Sequence, residues 1–338
     1  MLDNNLAALL RSLADKYETA SFMDGDPSQF LRRYSQPRDQ ELAAFVVSTL
    51  SFGQREQFIA KLDAMFAAAD DWARGKDGKP RMSATEIVRA TKTAGDTDNC
   101  GNPKTAGAAK SACKPKTGGA SFADWLATGG YKKFFINSKK KFYRFFSYAN
   151  MAELCGRLAR IVEEHGSLGA AVRARYGLAD DCGNAKSGAA TKNEGAAARY
   201  GLEKPCGVGG PSLPQELRLV AALISLFPGV KCVSQNPKGA CKKLHMFLRW
   251  MVRRGSPVDL GLWDWASAAD LLIPLDTHVL QESARLGLIA PNAAASAKTA
   301  IDLTQKMAAA FPGDPARADY ALFGLGVDGE SGQNDPLM

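Results

Sequence analysis

The residues with the clearest capacity for chemistry lie between positions 238 and 279. Lys242 stands three residues after Gly239, in the pattern Gly-x-x-Lys, and Asp276 directly follows Ile273-Pro274-Leu275. An uncharged lysine amine can attack an electrophilic carbon and form a Schiff base, while a nearby carboxylate stabilises the positive charge that develops there. On DNA, the amine would attack C1′ of a nucleoside, release the base and leave an imine that can cut the strand by β-elimination. The target base must first be flipped out of the duplex.

The lysine is expected in the first turn of a helix spanning 240–254. At about 100° per residue, Lys242, Arg249 and Arg253 share one face, opposite an apolar stripe that must face the core. That stripe contains Leu244, Phe247, Leu248 and Met251. The positive end of the helix dipole and the two arginines would destabilise an ammonium at Lys242, which favours the nucleophilic amine. A solvated basic face, or one that only binds phosphates, explains the same pattern without catalysis.

Asp276 is expected to begin a second helix, which runs to Arg285. An aspartate in this position is also an ordinary N-cap, so the residue type alone does not separate a capping role from a catalytic one. If both residues are catalytic, their side chains should approach within roughly 10 Å across a cleft, close enough to reach one sugar. Lys243 points about 100° away from Lys242 and is the weaker candidate nucleophile.

Weaker signals come from residues that could contact DNA. Gln54 and Arg55 follow an apolar helix at a turn, where they could wedge strands apart or simply cap a helix. Trp263 could line a base pocket by stacking, although tryptophans are also common in cores. The run from Tyr131 to Arg144 interleaves cations and aromatic residues, as backbone or single-strand contacts require, but an amphipathic element fits equally well.

The elements that must position these residues are helical. Apolar residues recur at helical spacing in most of the remaining chain, whereas alternating strand patterns with turn dipeptides are nearly absent. The sequence therefore predicts an all-α fold. Besides the two helices above, the predicted helices span 2–18, 39–52, 54–68, 151–165, 214–227 and 298–311.

Two segments contain no Val, Ile, Leu, Met or aromatic residue: 91–120 and 179–199. Neither can bury apolar surface to offset chain entropy, so both are predicted to be flexible insertions, the second extending to 211. Their cysteines are spaced too widely for a Cys-x2-Cys or Cys-x4-Cys zinc site, so no metal is expected.

Composition narrows the class of protein further. The chain has 338 residues with 46% hydrophobic and 23% charged residues, which excludes global disorder. A net charge of +8 favours a polyanionic partner such as nucleic acid, although it also fits general solubility. The longest apolar runs fall short of the roughly 20 residues that span a bilayer, and the N-terminus lacks signal-peptide features. We therefore expect a cytoplasmic protein without a membrane partner.

Several motifs resemble the helix-hairpin-helix–GPD superfamily of DNA glycosylases, in which a turn-Gly-x-x-Lys helix start precedes an apolar-Pro-apolar-Asp-x-x-Val segment. Within it, three segments resemble the bacterial family DUF2400 and, more distantly, the archaeal 8-oxoguanine glycosylases. They are GACKKLHMFLRWMVRRGSPVDLGLW, IPLDTHV and DYALFGLGV. The segment 39–57 also resembles the early helix–turn of the superfamily. The resemblance covers most of the chain but neither insertion.

The resemblance implies a two-lobed, helix-hairpin-helix domain over 1–330, with Lys242 as the Schiff-base lysine and Asp276 as the catalytic aspartate. It also implies a hairpin that grips the phosphate backbone through main-chain N–H groups around Lys238 and Gly239. The usual Leu-Pro-Gly-Val-Gly hairpin is replaced here by the residues of 235–239. No four-cysteine run follows, so no iron–sulfur cluster or other cofactor is expected.

The function expected from residues and resemblance together is a bifunctional DNA glycosylase/AP lyase of base-excision repair that removes an oxidised purine. Its partner would be double-stranded DNA with a damaged base, and it would act as a monomer in the bacterial nucleoid. The phosphate-contacting residues would be Lys238, Gly239, Arg249 and Arg253, joined by Gln54 and Arg55. A non-catalytic helix-hairpin-helix module for bent or damaged DNA is the alternative, and an activity on RNA is a third possibility.

Overall fold

The computed structural model describes residues 2–75, 121–184 and 213–330. Within these ranges the fold is all-α, as predicted, with a single two-stranded hairpin. The α-helices are α1 (Asn4–Tyr17), α2 (Pro37–Leu50), α3 (Arg55–Arg74), α4 (Phe122–Ala127), α5 (Tyr131–Phe134), α6 (Tyr148–His165), α7 (Leu168–Asn184), α8 (Gln215–Ser225), α9 (Lys242–Val252), α10 (Thr277–Arg285), α11 (Ala297–Met307) and α12 (Ala318–Glu330). The strands are β1 (Lys141–Tyr143) and β2 (Phe146–Ser147).

Helix α2 forms the centre of the core, and α9 packs directly against it. Its side chains are buried from Leu42 to Leu50. The ring of Phe45 stacks on Phe227 at 4.6 Å and meets Phe247 of α9 edge-on at 5.1 Å. The predicted stripe of α9 is buried along its length, so the helical spacing of its apolar residues correctly identified the face that joins the core.

Three helices pack together as a second group, in which α12 lies against both α1 and α10. Gly324 of α12 allows this close approach, because a β-carbon there would stand 2.2 Å from the ring of Tyr17. Gly326 similarly admits His278 of α10. These contacts fix α12 alongside the start of α10, where Asp276 lies.

The predicted insertion 91–120 lies outside the described residues, as does 185–211 of the second. The second insertion was predicted to begin at 179, and that boundary is wrong: helix α7 continues to Asn184. Alanine favours helix, and α7 contains four alanines, so the absence of large apolar residues at its end did not stop the helix. None of the described helices is both long and apolar enough to cross a membrane.

Candidate active site

The two predicted catalytic residues are brought together at the starts of neighbouring helices. Lys242 is the first residue of α9, and its Nζ lies 3.8 Å from Oδ2 of Asp276. Asp276 is the N-cap of α10, where its Oδ1 accepts a hydrogen bond of 2.9 Å from the N–H of Val279. The other carboxylate oxygen therefore remains directed to the lysine. The two side chains keep 31% and 18% of their surface exposed, so a substrate can reach both.

A long loop between α8 and α9 sets the position of Lys242. The side chain of Gln235 donates to the carbonyl oxygens of Phe227 and Val233, both at 3.0 Å, and accepts from the N–H of Gly229 at 3.1 Å. Cys241, the N-cap residue of α9, then adopts the left-handed conformation, with φ of 43°. A non-glycine residue there is strained, and such strain is found most often at functional sites.

The turn before Lys242 does not offer the main-chain phosphate grip that was predicted. The N–H of Lys238 donates to Oδ1 of Asn236 at 3.0 Å, and the N–H of Gly239 donates to the carbonyl oxygen of Asn236 at 3.1 Å. Gly239 also pairs with Ser296 in an isolated bridge. Both N–H groups are thus occupied within the turn, and only the exposed side chain of Lys238 can still contact a phosphate.

Lys242 and Asp276 lie on the wall of a cavity of about 860 Å³. Much of the rest of the wall is aromatic, formed by Phe22, Phe52, Phe145, Phe146, Trp250, Tyr320 and Phe323. Trp250 is 1% exposed, and in the described part of the chain its indole N–H has no hydrogen-bond partner. A buried N–H without a partner is costly, so this donor would be stabilised by any acceptor atom that reached it.

Asp319 is a further ionisable residue in this wall, and the sequence analysis did not single it out. It lies in the DYALFGLGV segment and forms an ion pair with the guanidinium of Arg249. Burial raises the pKa of Asp319 to about 7, a shift that Asp276 reinforces and that Arg249 and Lys242 oppose. Its carboxyl group can therefore exchange a proton near neutral pH. The sequence signal was its place beside an aromatic residue in a recognised motif.

Lys243, predicted to be the weaker candidate nucleophile, also lines the cavity. Its Nζ donates to the carbonyl oxygen of Thr49 at 3.1 Å and lies 4.7 Å from the ring centre of Phe52 and 5.0 Å from that of Phe146. Burial lowers the pKa of Lys243 to about 8, and the charge of Lys242 adds to the effect. The start of α9 thus places two lysines in the cavity wall, one paired with a carboxylate and one partly desolvated.

Arg249 and Arg253 do not form a phosphate-binding face, so this prediction is wrong. Both are nearly buried, at 4% and 3% exposure. Asp259 lies between them, with oxygens 3.4 Å from Nε of Arg249 and 2.5 Å from Nη1 of Arg253. Arg253 also pairs with Glu18 and Asp314, both at 2.8 Å. The face of α9 that looked solvated is covered by carboxylates from other parts of the chain.

Trp263 is not part of the base pocket, contrary to the prediction. Its side chain is 1% exposed and does not reach the cavity. Its indole N–H donates to Oε1 of Glu41 at 2.8 Å, and its ring packs edge-on against Phe247. A β-carbon on Gly169 would stand 2.5 Å from the same nitrogen, so the ring is enclosed. Trp263 is a core residue whose polar atom is satisfied internally.

The two remaining predicted DNA contacts lie at the start of α3. Gln54 is its exposed N-cap residue and accepts a hydrogen bond from the side chain of Gln57. Arg55 is exposed at the edge of the cavity. Arg55 and Lys231 give the cavity a positively charged rim, and Lys238 is exposed in the turn before α9, so this part of the prediction remains compatible with contact to a polyanion.

The fold and the site define a class: an all-α protein with a lysine–carboxylate pair in an aromatic cavity. The chain belongs to the family described as protein of unknown function (DUF2400), whose sequence profile matches residues 26–87 and 116–328. No curated protein and no solved structure matched the chain.

Proposed function

We propose that this protein is a DNA repair enzyme, a bifunctional DNA glycosylase/AP lyase that acts through a Schiff base on Lys242. The observation that carries the proposal is the distance of 3.8 Å between Lys242 Nζ and Asp276 Oδ2 on the wall of a cavity large enough for a nucleobase. The motifs that resemble the helix-hairpin-helix–GPD superfamily support it, and with them we infer a two-lobed domain of that type over 1–330.

The reaction assigns one task to each residue. The amine of Lys242 attacks C1′, the bond from C1′ to the base nitrogen breaks, and the electron pair leaves with the base. Asp276 stabilises the positive charge on the sugar and then accepts the proton that the attacking nitrogen releases. Ring opening gives the iminium, loss of a proton from C2′ expels the 3′ phosphate, and water hydrolyses the imine to free the enzyme.

Asp319 supplies the proton that the departing base requires. Its carboxyl group lies in the same wall, and with a pKa of about 7 it is partly protonated at neutral pH. A general acid is most effective when its pKa lies near the working pH. The aromatic wall would hold the flipped base by stacking, and the free N–H of Trp250 suits a carbonyl oxygen such as that of an oxidised purine.

The substrate we infer is double-stranded DNA that carries an oxidised purine. Arg55 and Lys231 at the rim and the exposed Lys238 in the turn before α9 match the phosphate backbone, and the net charge of +8 would attract it. We also infer that the protein acts as a monomer without a cofactor, in the nucleoid of a bacterial cytoplasm. These inferences rest on the resemblance and on the charge distribution.

The direct test is covalent trapping. The protein is incubated with duplexes that carry a panel of oxidised bases or an abasic site, and borohydride is added to reduce any imine. A trapped protein–DNA complex on at least one duplex is the expected result. If none forms on any lesion while the duplexes still bind, the alternative of a non-catalytic helix-hairpin-helix module for damaged DNA takes the place of this proposal. The same panel in RNA tests the third possibility.

Asp276→Asn should slow base release by about 100-fold, which corresponds to roughly 2.7 kcal/mol of lost transition-state stabilisation. Asparagine caps helices about as well as aspartate, so the hydrogen bond to Val279 should persist and thermal stability should change little. Single-turnover rates on the trapped lesion measure the effect. An unchanged rate would mean that Asp276 serves α10 only as a cap.

Asp319→Asn should change the pH dependence of base release. In the wild-type protein the acid form of Asp319 is lost as pH rises through about 7, so the rate should fall above that pH. The variant cannot supply the proton at any pH, so it should be slower at pH 6 and lack this decline. Single-turnover rates between pH 5.5 and 8.5 are the measurement. An identical profile in both proteins would exclude Asp319 as the acid.

A further inference from the structure

The most exposed large apolar side chain in the described residues lies at the mouth of the cavity. Phe145 is 78% exposed, and the one other exposed side chain of this kind, Ile136, is 56% exposed. Phe145 also lines the cavity that contains Lys242 and Asp276. An apolar ring held in water beside a candidate active site indicates a contact that the isolated chain does not make.

The hairpin holds this ring in a defined position. Strands β1 and β2 pair Tyr143 with Phe146, so Arg144 and Phe145 form the two-residue tip. Arg144 has a positive φ of 45°, an unfavourable conformation for a non-glycine residue that must be stabilised by its surroundings. Its side chain packs on Gly53, where a β-carbon would come within 2.7 Å of Nη1.

The base of the hairpin is anchored to the segment between α2 and α3. The hydroxyl group of Tyr143 donates to the carbonyl oxygen of Phe52, and the ring of Phe52 meets Tyr143 and Phe146 edge-on at 5.1 and 5.4 Å. The ring of Phe145 runs parallel to that of Phe52, within 4° and at 6.1 Å between centres. Phe145 thus extends an aromatic series outward from Lys243, which lies against Phe52.

The charge around the tip indicates what would contact it. Residues 125–152 contain no aspartate or glutamate. Four exposed cations lie in the tip or in the residues just before it: Lys139, Lys140, Lys141 and Arg144. A protein partner that buried Phe145 would have to offset this charge, whereas the phosphates of a duplex do so while its bases provide flat apolar faces.

We infer that Phe145 is a stacking wedge, which enters the base stack of bound double-stranded DNA beside the nucleotide that is drawn into the cavity. This inference rests on the proposed function, because the cavity must accept the extruded base. Aromatic and aliphatic side chains that enter a base step unstack it and kink the duplex. Phe145 would occupy the space that the flipped nucleotide leaves, while Arg144 and the neighbouring lysines hold the flanking phosphates.

The test uses full-length protein and duplexes with 2-aminopurine next to an oxidised base, because the fluorescence of this base rises when it unstacks. The wild-type protein should raise the fluorescence on binding, and Phe145→Ala should lose most of that rise at saturating protein. Phe145→Leu should retain a large part of it, since leucine also acts as a wedge. Ile136→Ala, the matched loss of the other exposed apolar side chain, should behave like the wild type.

A second readout separates a wedge from a structural role. Phe145→Ala should lower borohydride trapping on the intact duplex by about 10-fold or more. Trapping should stay within about twofold when the same lesion lies in an unpaired loop, where no stack has to be opened. Phe145 is exposed, so thermal unfolding should match the wild type. Equal losses on both substrates would overturn the inference.

Failure of this inference and failure of the enzyme proposal give different results. Fluorescence that rises in the wild type and in Lys242→Gln, without trapping in either, would keep the wedge and remove the enzyme. Trapping without a fluorescence rise on any bound duplex would keep the enzyme and overturn the wedge. If Phe145→Ala instead dissociates an oligomer in sedimentation and leaves DNA binding unchanged, the ring is a protein contact and the inference is overturned.

Discussion

Lys242→Gln should abolish borohydride trapping while binding to the same duplex stays within a few-fold. Glutamine keeps the polarity of the side chain but cannot form an imine, and removing a nucleophile generally lowers a rate by about 1,000-fold or more. Binding should survive because one cation among many phosphate contacts contributes little. The measurements are a trapping assay on the lesion that the wild type accepts and a titration with that duplex.

The structure makes Lys243→Gln the decisive companion variant. Lys243 is in the same cavity, and its pKa of about 8 gives it more uncharged amine at neutral pH than a free lysine has. Its amine is nonetheless engaged with the carbonyl oxygen of Thr49, whereas Lys242 faces the Asp276 carboxylate that the reaction needs. We therefore expect Lys243→Gln to form a trapped complex in which Lys242 is the modified residue, and peptide mapping identifies that residue.

Lys298→Gln is the control, because Lys298 is 84% exposed on α11, where its ammonium group pairs with Asp302. It should trap and bind like the wild type. If Lys243→Gln loses trapping and Lys242→Gln keeps it, the nucleophile is Lys243 and the roles shift by one residue. If all three variants trap equally, neither lysine is the nucleophile.

Arg253→Met should lower the free energy of unfolding by about 3–5 kcal/mol, because it leaves buried carboxylates without their cation. Arg253 contacts Glu18, Asp259 and Asp314, and the side chain of Asp259 is fully buried. Methionine keeps the length and apolar volume of the stem, so the loss reports on charge rather than on a cavity. Urea unfolding followed by circular dichroism measures it.

The control for this prediction is Lys298→Met, which breaks an exposed pair with Asp302. Exposed pairs of this kind contribute about 0.5 kcal/mol or less.

The buried ion-pair network around Arg253 should also weaken in acid. The Arg253 and Arg317 guanidinium groups hold the pKa of Glu18 below its ordinary value despite its burial. Its contribution is therefore present above pH 4.5 and is lost as pH falls through the lowered pKa. A loss under 1 kcal/mol for Arg253→Met would contradict the buried network.

The sequence by itself determined the local elements. Helical spacing identified the buried stripe of α9, and the residue types at its start and at the start of α10 identified Lys242 and Asp276 as a possible pair. These features depend on neighbours within a few residues, because a helix repeats every 3.6 residues and a cap acts on its own first turn. For that reason they could be predicted without knowledge of how the chain folds.

Only the tertiary structure decided which residues cover each face of a helix. Periodicity placed Arg249 and Arg253 opposite the core stripe, but it could not reveal that Asp259, Asp319 and Glu18 would meet them there. Burying those cations was possible only because carboxylates from distant segments compensate their loss of hydration. The same long-range packing enclosed Trp263 and desolvated Lys243. It also brought Asp319 of α12 into the same cavity wall as Lys242 of α9. Helical spacing fixes the direction of a side chain, and the partner it meets depends on the whole fold.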